Sequence, residues 1–368
     1  MTGRPRTYAA DFFQGFSFSR TKLWMPSLSF NLGLDFLYAR VHGWWSQSAH
    51  GATLESLIRA ATEENFFHVL QSSGVMSVSG PERVLEQFLV RQYDRLGQLG
   101  SRSSNAFHAY TEVLRGNLER ENYKTILNYR FFPERETHLG DALIRFPGRT
   151  SQNNDLLALL DATTDEQFIR LFERASGSPE MAEVARRLSK DGDVMSAECA
   201  IDNLSTKAEL AAIARLDRTT RRVLRRLRGC QIDHINIITL LRNASFHHLD
   251  AKSLSDAWMD GGLELDKHLF LKLAEAPSPD DVVHHLPQTY RHLLAHEGAM
   301  SSFGGAENNL HRQVAHHARE YFRDASNPEC SVAAYPILLE LETINLSRIY
   351  EGIRFNLPPQ DIAAMMII

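Results

Sequence analysis

One nine-residue stretch is written three times in this chain. Leu118-Glu119-Arg120-Glu121-Asn122-Tyr123-Lys124-Thr125-Ile126 recurs as Ile232-Asp233-His234-Ile235-Asn236-Ile237-Ile238-Thr239-Leu240 and again as Leu341-Glu342-Thr343-Ile344-Asn345-Leu346-Ser347-Arg348-Ile349. On a helix, the aliphatic residue four before the Asn, the acid three before it and the aliphatic residue four after it share one face. Each copy is then an apolar seam with a polar interruption. The Asn positions lie 114 and then 109 residues apart, a domain-sized interval rather than a solenoid repeat. The chain therefore reads as three diverged copies of one helical unit. An Asn within a helix costs roughly 0.5 kcal/mol against Ala, and burying its amide unpaired adds about 1–3 kcal/mol. Three such costs at one relative position call for a repeated satisfying geometry, so Glu119, Asn122, Asp233, Asn236, Glu342 and Asn345 are expected to be structural. In that reading each amide bonds a neighbouring helix end or the adjacent acid.

The remaining chain divides around these seams. Residues 1–30 form an irregular aromatic arm, and the three units are placed at 31–147, 148–262 and 263–368. Pro147-Gly148-Arg149 and Gly261-Gly262 mark the boundaries. Apolar spacing predicts helices at Leu32–Trp45, Thr53–Ala61, Thr62–Leu70 and Pro81–Leu96, then a Gly/Ser break at 97–104 and a seam helix to about Phe132. The first unit closes with a short helix, His138–Phe146. In the second, short helices at 154–175 and 178–190 precede a long helix from Met195 to about Arg228, the seam helix to Phe246 and a short helix, His248–Trp258. In the third, short helices over Asp266–His296 precede a break at Phe303-Gly304-Gly305, a helix Ala306–Arg323, the seam helix from Ala334 and a terminal turn after Leu357-Pro358-Pro359. No strand alternation of useful length occurs, so the predicted class is all-α.

Composition narrows the function classes. A net charge of −5 argues against a general nucleic-acid binder. Cys199, Cys230 and Cys330 are odd in number and form no CxxC pair, which fits free buried thiols in a reducing compartment. Met1 to Arg20 has no continuous apolar core of a secretory signal, and the longest apolar run, Ile362–Ile368, is far short of the roughly 20 residues that span a bilayer. The sequence thus predicts a soluble chain that reaches a membrane only through a partner. The sequons beginning at Asn203, Asn243 and Asn345 are expected to be chance matches.

Catalytic signatures are sparse. There is no P-loop, no G-x-S-x-G elbow, and Gly304-Gly305 reads as a turn. His292 and His296 have the i, i+4 spacing of zinc ligands, and His284, His285, His247-His248 or His316-His317 would have to supply a third. H-E-x-x-H is absent, and solvated or capping histidines are the simpler account. Arg215, Arg218, Arg221, Arg222, Arg225, Arg226 and Arg228 gather on the helix preceding the second seam, over an apolar stripe of Leu216, Val223 and Leu227. The simplest reading is a solvated face with some ion pairing. The alternatives are a docking surface for an acidic partner, with Arg218, Arg221, Arg222, Arg225 and Arg226 as its contacts, or contact with anionic lipid or RNA.

Four separated blocks resemble one family. Leu341-Glu342-x-x-Asn345-Leu346-x-x-Ile349 followed by Leu357-Pro358-Pro359-Gln360-Asp361-Ile362, together with Asp233-x-x-Asn236-x-x-Thr239-Leu240-Leu241-Arg242, resembles the C-type rotor component of bacterial and archaeal V/A-type ATPases, whose counterpart in eukaryotic V-ATPases is the d-type component. Asp35-Phe36-Leu37-Tyr38-Ala39-Arg40-Val41 is similar to the family's opening Y-x-N-A-R-V helix, with Tyr38 in place of the Asn. Glu198-Cys199-Ala200-Ile201-Asp202-Asn203-Leu204 is similar to its E-x-A-L-D-R stretch, although Ser205-Thr206 replaces the usual Tyr-Tyr. The resemblance spans roughly residues 34–368.

The resemblance implies a threefold funnel of helices with no active site, cofactor or metal. It implies a rotor subunit on the cytoplasmic side of the membrane, partnered by central-stalk subunits and a proteolipid ring and passing torque between ATP turnover and proton or sodium transport. Neither nucleic acid binding nor self-association is expected. The rival readings are a His-ligated metalloenzyme and a helical scaffold or adaptor with a basic docking face.

Overall fold

The computed structural model describes residues 32–76, 83–131, 143–148, 150–294 and 303–367, and every regular element among them is helical. The arm at 1–30, most of the short helix expected at His138–Phe146, and His296 lie outside the described residues. The first elements are α1 (Leu32–Ser46), α2 (Gly51–Ile58), α3 (Glu63–Ser72), α4 (Val84–Gly100) and α5 (Asn105–Phe131), which carries the first seam. Next come α6 (Thr150–Leu160), α7 (Asp165–Ser176), α8 (Pro179–Asp191), α9 (Val194–Ala214) and α10 (Arg218–Arg242), which carries the second seam. The chain continues through a π turn (Asn243–His247), α11 (Ala251–Leu254), a 3-10 turn (Ser255–Ala257), α12 (Lys267–Ala274), α13 (Pro279–His285) and α14 (Gln288–Leu294). It ends with α15 (Phe303–Phe322), α16 (Pro328–Arg354) with the third seam, and α17 (Pro359–Ala364).

Local sequence explains most of the helix starts. Thr62, Thr164, Ser178, Asp193, Asp266 and Ser278 each accept a backbone N–H from the first turn they precede. Pro179 and Pro279 stand at a first helical position, where the missing N–H costs nothing. Gly177 closes α7 in the left-handed region at φ 62°, where a side chain would be strained.

Long-range packing orders the six long helices as a closed circuit. α4 packs on α5, α5 on α9, α9 on α10, α10 on α15, α15 on α16, and α16 returns to α4. α10 also packs on α16, and α1 lies along α16. One apolar cluster gathers the N-terminal halves of the seam helices: Phe107 and Tyr110 from α5, Val223, Leu224 and Leu227 from α10, and Val332 to Leu341 from α16. The C-terminal halves diverge into three further clusters. Tyr123, Ile126 and Leu127 pack with residues of α6–α8; Ile237, Leu240 and Leu241 with α12–α14; Leu346, Ile349 and Ile353 with α2 and α3. Each fully buried Leu or Phe in these clusters contributes about 1.5–3 kcal/mol.

The boundaries differ from the sequence expectation in several places. The long helix expected from Met195 to Arg228 is broken at Arg215-Leu216-Asp217. The Asp217 carboxylate accepts the N–H groups of Thr219 and Thr220 at 2.9 and 3.0 Å and starts a new helix. The arginine-rich stretch and the second seam are therefore one helix, α10. Gly304 and Gly305, expected in a turn, lie inside α15, and Gly97 and Gly100 lie inside α4. Gly304 and Gly305 stand in the first turn of α15 and Gly100 is the last residue of α4, so the interior cost of about 1 kcal/mol falls on Gly97 alone of the four, where tertiary packing outweighs it. α16 begins six residues earlier than expected and contains Pro336, whose ring removes one backbone donor within a buried run. The helix expected over His248–Trp258 is reduced to α11 and the 3-10 turn.

Candidate functional site

The seam residues form two kinds of latch. Asn122 donates to the Ile144 carbonyl and accepts the Ile144 N–H, both at 2.8 Å, across 22 residues of sequence. Asn236 makes the same pair with Met259, at 2.9 and 3.0 Å across 23 residues, and Asn345 accepts the Ile367 N–H at 2.9 Å across 22. In each copy the amide thus serves the backbone of an extended segment beyond the seam helix, not a helix end or the adjacent acid. The residue before each anchor point, Leu143, Trp258 or Met366, is buried in the adjoining cluster.

The acids make the second latch. Asp233 accepts the N–H groups of Leu263, Glu264 and Leu265, at 2.9, 2.9 and 3.3 Å, and the Tyr290 hydroxyl at 2.7 Å. Glu342 accepts the Ala49 N–H at 2.8 Å and forms a buried ion pair with Arg91 at 2.9 Å. Both acids therefore hold the backbone that leads into the short helices of the neighbouring cluster. Glu119 accepts the Tyr93 hydroxyl at 2.7 Å. Burial raises the Asp233 carboxyl above its ordinary value while its hydrogen bonds act the other way, and burial beside Asp233 raises the Tyr290 hydroxyl. A carboxylate engaged in this way by backbone and phenol is not free to move protons on a substrate.

The arginines divide in two. Arg218, Arg221, Arg222, Arg225 and Arg226 are exposed on one side of α10, with Val223, Leu224 and Leu227 fully buried beneath them. Among the described residues, α10 makes ion pairs only through Arg228, with Glu209 at 3.0 Å, and Arg242, with Glu307 at 3.5 Å. The five exposed arginines thus lack the ion pairing expected of a solvated face. Arg228, expected with them, points inward. Its burial opposes the charge, but Glu209 and Glu340 more than compensate and raise its pKa, while burial raises the Glu209 carboxyl. The signal was legible in the spacing, since Arg228 stands four residues after the buried Leu224.

No three His, Cys, Asp or Glu side chains among the described residues are placed to hold a metal ion. His284, His285, His292, His247 and His248 are exposed, and His316 and His317 lie beside Glu320 at 3.3 and 3.2 Å. His234, which no motif singled out, is buried against Gln313 at 3.0 Å, and burial lowers its pKa to about 3. Cys230 and Cys330 are buried and Cys199 half-buried; all three are free, with burial raising Cys199 and Cys230 to about 11. A groove of about 670 Å³ between α8 and α9 is lined by Val184, Leu188 and Leu204 beneath Glu180, Glu183 and Asp193. A second, of about 510 Å³, is lined by Leu37 and Phe107 with Asp217 and Glu329 where α1, α10 and α16 begin. Neither set of lining residues includes a nucleophile paired with a base. No helix among the described residues is long and apolar enough to cross a membrane.

These features define a class: an all-α protein whose repeated polar motif is engaged in internal hydrogen bonds and whose arginines gather on an exposed helix face. The chain belongs to the family of ATP synthase (C/AC39) subunits, whose model matches residues 37–365, and is therefore a V/A-type ATPase subunit. No individual curated protein matches it.

Proposed function

We propose that the chain is the non-catalytic coupling subunit of a V/A-type ATPase rotor, seated between the central stalk and the membrane proteolipid ring on the cytoplasmic side. In this reading it transmits torque between ATP turnover and proton or sodium transport, and touches the membrane only through the ring. The family supplies the complex, and the observation that carries the reading is the closed circuit of helices in which α16 returns to α4. Seam helices alternate in that circuit with the helices that precede them, as expected of three units, 31–147, 148–262 and 263–368, set around a threefold funnel. The seam latches support the same reading, because a torque-bearing wall must not shear and each latch ties a seam helix to a distant segment. The reading involves no cofactor, nucleic acid or self-association.

Native capture of the full chain from detergent-solubilised membranes of its own cell tests this. The ring and stalk subunits of the ATPase are expected to be retained together with it. A stable homo-oligomer that retains neither would overturn the proposal.

A further inference from the structure

We infer that the exposed arginine stripe of α10 is a docking site for an acidic helical segment of a partner protein, and this rests on the surface alone, independent of the coupling role. Arg218, Arg221, Arg222, Arg225 and Arg226 follow one another at intervals of three and one, which keeps all five on adjoining rows of a single face. No nearby carboxylate among the described residues stands within ion-pair distance of the stripe. Asp217 caps its own helix, and Glu320, which lies against His316 and His317, feels the charge of Arg226 without pairing with it. Arg221 donates to the Ala214 carbonyl and Arg222 reaches the Cys330 thiol, and no guanidinium of the stripe forms an ion pair with a carboxylate among the described residues.

Three features select the occupant. The stripe is entirely Arg, whose planar fork matches a carboxylate bidentately, where a lysine offers a point charge. None of the exposed large apolar side chains, which include Phe36, Ile235, Phe246 and Phe355, lies between residues 215 and 230. Within 215–230 the stripe therefore offers no exposed apolar side chain to insert into a bilayer and no exposed aromatic on which a base can stack. The chain's own residues 1–31 carry Arg4, Arg6, Arg20 and Lys22 against Asp11, so their charge does not complement it. An acidic helix with carboxylates at i, i+3, i+4 and i+7 does.

The test uses the full chain and a synthetic helical peptide with glutamates at those positions, measured by fluorescence anisotropy at low and high salt. Binding that weakens as salt rises is expected. R221Q/R222Q/R225Q/R226Q should weaken it by about tenfold or more, and the matching lysine substitutions should fall between, because charge is kept and the fork is lost. Thermal unfolding matching that of the wild type controls for folding, and the lysine variant preserves the comparison if the glutamine variant is unstable. Vesicles containing phosphatidylserine and an RNA oligonucleotide should show no binding that depends on the stripe. Equal peptide affinity in wild type and glutamine variant would overturn the inference. So would stripe-dependent binding to vesicles or RNA in place of the peptide, or a self-associated chain that the glutamine variant dissolves.

Discussion

At the scale of single residues, stability turns on what each seam side chain satisfies. Asn236→Ala leaves the Met259 N–H and carbonyl unpaired at a fully buried position, so a loss of about 2–4 kcal/mol is expected. Asn345→Ala removes the one bond to Ile367 and should cost about half as much. Urea titration of both variants checks the order, and equal losses would contradict it. Gly262 is a stricter position, because a Cβ there would stand 1.9 Å from the Asp233 carboxylate oxygen. Gly262→Ala must displace the group that holds Leu263 to Leu265 and should cost more than about 2 kcal/mol, whereas Gly43→Ala, with open space around it, should stabilise α1 by up to about 1 kcal/mol. His234 sets a pH dependence. Unfolded, it takes a proton near its ordinary value of 6.5; folded, burial delays this to about 3. The unfolded state thus binds more protons as pH falls below 6.5, and stability drops by up to about 1.4 kcal/mol per pH unit from this group. His234→Gln should flatten that slope between pH 7 and 5, and other titrating groups cancel in the comparison with wild type.

At the scale of elements, each seam helix belongs to two cores. Its first half lies in the central cluster and its second half packs with short helices that follow, or for α16 precede by most of the chain, the seam itself. The segment 148–262 contains α6–α8 but not α5, whose Tyr123, Ile126 and Leu127 complete their core. Expressed alone, it should show broad, non-cooperative thermal unfolding by circular dichroism, while the full chain unfolds cooperatively. The sequence carried the helical class and the buried, polar character of the seam positions, because a repeated register of apolar, acid, amide and apolar residues is a local signal. It did not carry the amide's partner, since the anchor segments 22 or 23 residues on have no letter common to all three and are recognised through their backbone. The break before α10 was hidden for a related reason: Leu216 continues the apolar period, and the Asp217 cap decides the boundary. Of the arginine face, the charges and the inward register of Arg228 were legible, but the lack of ion pairs depends on which carboxylates the fold brings near.

At the scale of the whole molecule, the six long helices close on themselves through α16 and α4, with Arg91 of α4 buried against Glu342 of α16 at 2.9 Å. Arg91→Met strands the Glu342 carboxylate in that joint and should cost about 3–5 kcal/mol, read as a lowered urea midpoint. Such a joint links the first and last parts of the chain into one body, which is what a coupling element between stalk and ring requires. The proposed coupling role requires this body to carry torque. ATP-driven ion uptake, measured alongside ATP hydrolysis in vesicles holding the ATPase with and without this chain, tests it most directly. Without the chain, hydrolysis should continue while uptake is lost, and adding the full chain back should restore uptake. Uptake that keeps pace with hydrolysis in its absence would contradict the account.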